Sequence, residues 1–198
     1  REAKDHVFPW RGQNSDHSSP IIIHDLFLLN SGGEGDCQVM RVTIVAVGRL
    51  REAYLDKGIA EYAKRLRSYC RLNIIEVKDE PFKEGYSSAQ QEMVKAREAD
   101  RIRKVMPPRS YVIGLDVRGQ MRSSEELSEL ISYLGVSGWN QVTFIIGGAL
   151  GLHSSILNDA DLRLSFSPFT FPHQLMRLIL LEQIYRCFTI ARGEAYHH

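Results

Sequence analysis

The 198-residue chain lacks a long apolar run, is sparing with cysteine and carries almost no net charge. Its longest apolar stretch, Ile21 to Leu29, is interrupted by His24 and Asp25 and falls well short of the ~18–20 residues that a membrane span needs. Cys37, Cys70 and Cys187 are far apart, odd in number and form no C-x-x-C pair. Neither a disulfide framework nor a cysteine zinc site is indicated, and three reduced thiols are expected. No His/Asp/Glu cluster has metal-ligand spacing and no G-x-S-x-G elbow occurs, so no metal is expected. Gly (15) and Pro (7) are ordinary, against a collagen-like or low-complexity chain. The net charge of +1 argues, on bulk charge, against a strongly basic nucleic-acid binder.

That charge is unevenly spread. Residues 1–39 hold three basic and six acidic residues, a net −3 that leaves +4 for residues 40–198. Gly12 to Pro20 and Asn30 to Gly35 read as loop or linker. Residues 1–39 are therefore expected to be a poorly ordered leader with one sticky apolar patch at 21–29; a short added strand from that patch is the alternative. A start at Arg1 without Met reads as a processed or truncated product, although six acidic residues suit a transit peptide poorly.

From residue 40 the pattern becomes regular. Arg41–Val47 is β-branched, apolar and closed by Gly48, which predicts a buried strand. Tyr54, Leu55, Ile59, Tyr62, Ala63 and Leu66 recur at helical steps. Leu72–Val77 is a second strand, and 87–106 a long-charged, Ala-rich helix stopped by Pro107-Pro108. Tyr111–Asp116 is a third strand. Ser123 and Glu126 form a capping box for a helix to about Leu134. Val142–Ile146 and Leu162–Phe166 are further strands, and a last helix starts at Pro172. Alternating strands and helices with near-continuously apolar strands imply an α/β fold, a mostly parallel sheet with helices on both faces. In such sheets ligands sit at the carboxyl ends of strands.

Three strand-end segments are candidates for chemistry. Gly147-Gly148-Ala149-Leu150-Gly151-Leu152-His153 follows a strong strand, and its glycines allow close backbone approach. It has neither the G-x-G-x-x-G spacing with a later ribose-binding acid nor the Lys-Ser/Thr of a P-loop; a tight strand–helix turn explains its glycines equally well. Ser165 to His173 carries three phenylalanines and two prolines, a rigid wall suited to a flat ring, or else ordinary core. The tail joins Arg177 and Arg186 to Arg192-Gly193-Glu194-Ala195-Tyr196-His197-His198. Arg forks suit phosphates, His moves protons near neutral pH and Tyr stacks. The bland alternative is a solvated end with Glu182–Arg186 as a helical pair.

Four segments occur in the order of a known family: Val45-Ala46-Val47-Gly48-Arg49-Leu50, Gly147 to His153, Phe169-Thr170-Phe171-Pro172-His173-Gln174 and Arg192 to His197. Over residues 40–198 the chain resembles the RlmH family, the large-subunit ribosomal RNA pseudouridine N3-methyltransferases of the SPOUT class. Residues 1–39 have no counterpart. The resemblance implies a trefoil-knotted fold, an exception to the rule that chains do not thread their own loops. It also implies a homodimer, S-adenosylmethionine as methyl donor and large-subunit rRNA in the ribosome as substrate. The donor pocket it implies is Leu115, Gly147, Gly148 and the run Phe166, Ser167, Pro168, Phe169, Thr170 and Phe171.

The chemistry implied is loss of a proton from the pseudouridine N3 imide as N3 attacks the donor methyl. His197 is the candidate base, since an ordinary His (pKa about 6.5) is largely neutral at pH 7. Tyr196 and Arg177 complete the expected catalytic set, with Arg or a backbone amide facing the developing anion. His173, Arg186, Arg192 and His198 are expected to handle RNA. The family usually ends Tyr-His-Lys or Tyr-His-Arg; His198 replaces that cation here, so tail contact with phosphate is expected to be weaker or more pH-dependent. A dimer doubles the domain surplus to about +8, so charge does not exclude RNA. Two alternatives stay open: a SPOUT-like enzyme acting on another RNA, such as a tRNA ribose, and a non-catalytic ribosome-binding module. Compartment stays open as well, between a bacterial cytoplasm and, if the leader follows a removed targeting peptide, a plastid or mitochondrion.

Overall fold

The computed structural model describes residues 39–195. The expected leader, Val39 excepted, lies outside the described residues, as do Cys37 and the tail residues Tyr196, His197 and His198. The elements run β1 (Arg41–Val47), α1 (Ala53–Leu66), β2 (Arg71–Val77), α2 (Ser88–Val105), β3 (Tyr111–Met121), α3 (Ser124–Val136), β4 (Gln141–Ile146), α4 (Ser154–Asp159), β5 (Leu162–Ser165) and α5 (His173–Ala191).

The strands form one five-stranded sheet in the order β2-β1-β4-β3-β5, and all four strand pairs are parallel. The two central strands explain their own sequences. Side chains alternate between faces along a strand, and β1 sends Val42, Ile44 and Ala46 into one core and Val45 and Val47 into the other. Helices α1, α3 and α5 cover the first face, where Leu66, Leu130, Ile131, Leu134, Leu180, Leu181 and Ile184 meet Phe144. Helices α2 and α4 cover the second through Ala99, Ile102 and Ile156. Burial on both sides is why β1 and β4 have so little room for polar residues. Thr143 is one exception, and its hydroxyl lies 2.6 Å from that of Ser110, so its burial leaves no stranded polar group.

The anticipated capping box of Ser123 with Glu126 is present on α3, and α2 carries a second one, Ser87 with Gln90, that was not anticipated. Helix α2 ends at Val105, one residue short of Pro107-Pro108, since proline disfavours helix at the residue before it. Two further features were not expected. Strand β3 continues to Met121, and Leu115 and Gln120 both register against Leu164 of β5, so 116–119 bulge out between them. The other is α4, a six-residue helix whose N-cap is the His153 side chain, accepting from Ser155 N–H at 3.1 Å. Among the described residues no helix is long and apolar enough to cross a membrane. Cys70 and Cys187 are free and buried, and burial pushes both thiols up to about 12.

Candidate functional site

A parallel sheet collects the carboxyl ends of all its strands at one edge. At that edge, beyond β3, β4 and β5, three segments enclose a cleft of about 330 Å³, within the range of small-molecule sites.

The glycine loop after β4 forms one wall. Gly148 and Gly151 make an antiparallel bridge, closed by Gly151 N–H to the Gly148 carbonyl at 3.0 Å, and Gly151 takes φ +79. A Cβ at Gly147 would stand 2.6 Å from the Gly151 carbonyl carbon and 2.8 Å from Leu152 N. The chain thus folds back on itself closely enough to exclude any side chain.

The segment after β5 forms the second wall. The Ser165 hydroxyl lies 3.1 Å from the Val117 carbonyl and 3.2 Å from that of Ser167, while Phe169 N–H donates to the Ser167 hydroxyl at 3.0 Å. These bonds turn the chain so that its three rings part company. Phe166 packs against the main core, whereas Phe169 is 77% exposed and Phe171 38%. The bulge of β3 is the third wall, with Leu115, Asp116 and Val117 at the cleft. Asp116 accepts from Arg118 N–H at 3.2 Å, and at Gly119 a Cβ would lie 2.7 Å from the Arg163 backbone.

The structure thus brings Leu115, Gly147, Gly148, Phe166, Ser167, Phe169 and Phe171 together around one space. Pro168 and Thr170 belong to the same turn without lining it. Asp116, Val117 and Met176 line it without having been anticipated: the first two sit on a bulge with no apolar pattern, and Met176 reads as ordinary helical core. His173 also lines the cleft. Burial first, then the neighbouring Arg177 charge, hold its imidazole below the ordinary value, against Asp79, which raises it.

Arg177, expected beside the reacting base, has another duty. Only 3% of it is exposed. Its guanidinium donates to Glu76 Oε1 at 2.5 Å, to the Gly48 carbonyl at 2.5 Å and to the Val47 carbonyl at 3.1 Å. Glu76 also accepts from Leu50 N–H at 2.9 Å, and Gln174 from Arg51 N–H at 2.8 Å. The first turns of α5 therefore fasten the loop after β1, and a guanidinium so committed has little left for RNA. Burial is what the sequence could not show, because an arginine between apolar helix positions reads as surface.

Arg186 pairs with Glu182 at 2.6 Å, as the bland alternative had it. Arg192 lies 4.3 Å over the Tyr69 ring and donates to the Ser68 carbonyl at 3.1 Å. Tyr69 donates a short hydrogen bond to Glu194; burial first, then this acceptor, push its phenol well above the usual range. Ser68 and Tyr69 precede β2, so the tail leaves α5 at the edge opposite the cleft. The 19 residues of α5 span about 28 Å at 1.5 Å each, with His173 at one end and the tail at the other. Tyr196, His197 and His198 lie outside the described residues.

Glu98 is a further group that sequence reasoning missed. It sits on α2 behind the glycine loop, 5% exposed, and accepts from Glu80 N–H at 3.0 Å. A signal was available: Val94, Glu98 and Ile102 follow at four-residue steps, so Glu98 falls on the buried stripe. Among the described residues no group of three or more His, Cys, Asp or Glu is placed to hold a metal ion.

The family model described as "Predicted SPOUT methyltransferase" matches residues 40–197. A protein of Clostridium kluyveri named "Ribosomal RNA large subunit methyltransferase H" is 52% identical over 158 residues, 80% of this chain and 99% of its own. One of the same name from Moorella thermoacetica is 55% identical over 159 residues, again 80% and 99%. Among solved structures, the SpoU methyltransferase AviRb from Streptomyces viridochromogenes, in complex with AdoMet, is 13% identical at TM-score 0.38, covering 75% of this chain and 57% of that one.

Proposed function

Since the chain belongs to the SPOUT methyltransferase family, we propose that it methylates N3 of a pseudouridine in large-subunit ribosomal RNA, with S-adenosylmethionine bound in the strand-end cleft. The observation that carries the reading is the cleft itself, with walls of backbone and ring at the segments where the family resemblance puts the donor. The near-complete coverage of relatives named for large-subunit rRNA supports the substrate class. The trefoil threading belongs to the same reading.

The residues fit the donor. Gly147 and Gly148 leave a cradle that a Cβ would fill, so backbone amides of that loop can meet the polar edges of an adenosine without a ribose-binding acid. Leu115 and the rings of Phe166, Phe169 and Phe171 supply apolar walls, and the turn 166–171, Pro168 and Thr170 included, sets their spacing. When bound, the donor supplies a methyl carbon made electrophilic by its sulfonium.

The remaining task is a proton. His197 would accept the N3 imide hydrogen on an imidazole nitrogen, while the donor, when bound, would supply the methyl and keep the bonding electron pair on its sulfur. Tyr196 completes the catalytic set with His197, and His198 and His173 serve the RNA. Holding nucleophile and methyl in line contributes much of the acceleration.

Geometry also bears on assembly. Three residues beyond Ala195 reach at most about 11 Å, far less than the length of α5 that separates Ala195 from the cleft of its own chain. We infer that His197 serves the cleft of a second copy, in a homodimer with two composite sites.

The deciding experiment is mass spectrometry of large-subunit rRNA, from cells lacking the gene, before and after incubation of their ribosomes with protein and S-adenosylmethionine. One added methyl on a pseudouridine is expected. Methylation of a tRNA ribose instead, or donor binding with no methylation of any RNA, overturns the reading.

A further inference from the structure

We propose that Glu98 is a charge-selecting residue of the donor cleft, favouring the cationic S-adenosylmethionine over its product S-adenosylhomocysteine. This rests on the reading of the cleft as the donor site and goes beyond it, because nothing in that reading requires an acid on α2.

The position of the carboxylate carries the proposal. Both of its oxygens lie 3.1 Å from where a Cβ of Gly148 would stand, and Gly148 lines the cleft. One residue of bare backbone therefore separates Glu98 from the ligand space. Oε1 accepts the Glu80 amide, and Oε2 has no hydrogen-bond or ion-pair partner among the described residues. The neighbouring cations make their direct contacts elsewhere: Arg97 pairs with Glu80 at 2.7 Å, and Arg101 pairs with Glu80 and reaches Glu98 only through its charge. Burial raises the carboxyl above its ordinary value, the Glu80 amide opposes this and Asp79 adds to it. A carboxylate 95% buried without a cation in direct contact costs stability unless something cationic comes to it. Of the acids at the cleft, Asp116 accepts an amide of its own bulge.

The reaction supplies and then removes such a cation. When the methyl leaves, sulfur keeps the bonding electron pair and its positive charge disappears, while the rest of the ligand is unchanged. A negative charge behind one residue of backbone, in a site of reduced dielectric, holds the sulfonium form and loosens its grip on the thioether. Glu98 would thus act by favouring exchange of spent for fresh donor.

The test is calorimetry of the full chain with both ligands. Wild type is expected to bind S-adenosylmethionine more tightly than S-adenosylhomocysteine, and Glu98→Gln to shrink that preference by about tenfold while holding the product within about twofold. Equal weakening of both ligands would show that Glu98 only props the loop, and an unchanged ratio would show no role; either overturns the proposal. A measurement that needs no variant is binding of sinefungin, which carries an ammonium in place of the sulfonium, to wild type. Sinefungin is expected to bind more tightly than S-adenosylhomocysteine, and equal affinity overturns the proposal even if Glu98→Gln fails to fold. Wild type that binds none of the three ligands refutes the donor-site reading itself, and the proposal with it.

Discussion

At Gly147 a methyl group would collide with backbone rather than with a movable side chain. Gly147→Ala must therefore unfold the turn to Leu152, and S-adenosylmethionine affinity is expected to fall at least about a hundredfold by calorimetry, since the loop is the cleft wall. Arg177 gives the opposite kind of outcome. Removing its guanidinium strands two carbonyls and the Glu76 carboxylate, which is partly exposed and recovers some hydration. Arg177→Met is expected to cost about 3 kcal/mol in urea unfolding, whereas Arg186→Ala, which opens a helical ion pair, should cost under ~1 kcal/mol. Full stability with lost methylation in Arg177→Met would return that residue to the reacting base. For Glu98 the sign follows from its raised carboxyl. The folded state holds the proton more tightly than the unfolded state, so this group stabilises at acid pH, and the contribution is lost as pH rises through the folded value. At pH 8 the ionised group is a net cost, and Glu98→Gln should melt higher than wild type in a thermal scan.

Helix α2 shows how one element ties packing to the site. It carries Ala99 and Ile102 into the core and Glu98 behind the glycine loop, and its entry is fixed by the Ser87–Gln90 box. Ser87→Ala should cost about 1 kcal/mol, read as a lowered melting temperature, with donor affinity little changed because Glu98 sits three turns further on. Sequence patterns gave away most elements of this kind, since β-branched runs, the Ser123–Glu126 capping box and Pro107-Pro108 are local signals. The extension of β3 left no such trace. Val117-Arg118-Gly119-Gln120 alternates with neither period, and its place is set by β5, nearly fifty residues away. Helix α4 is too short to show a helical period. The same contrast runs through the site: Gly147, Gly148 and the Phe turn could be read because glycine and proline signal special backbone, whereas the duties of Arg177 and Glu98 depend on burial, which only the assembled sheet decides.

At the scale of the whole molecule, the cleft and the tail occupy opposite ends of α5, and this separation can be tested without a structure of the complex. Gly147→Ala and His197→Ala should each be inactive alone. Mixed one to one and allowed to exchange subunits, they should recover about a quarter of wild-type sites, because half the dimers then pair an intact cleft with an intact tail. No recovery after verified exchange would mean that each chain serves itself. The near-neutral charge also reads differently at this scale. The +4 of residues 40–198 is small for one chain gripping RNA, and two chains around one site would concentrate it.

The length of α5 carries one more consequence, for kinetics. If base and donor never meet within a single polypeptide, then below the dissociation constant of the pair the initial rate should climb with the square of protein concentration, turning linear once association saturates. Dilution alone would then silence the catalyst, with every residue of each chain still in its folded place.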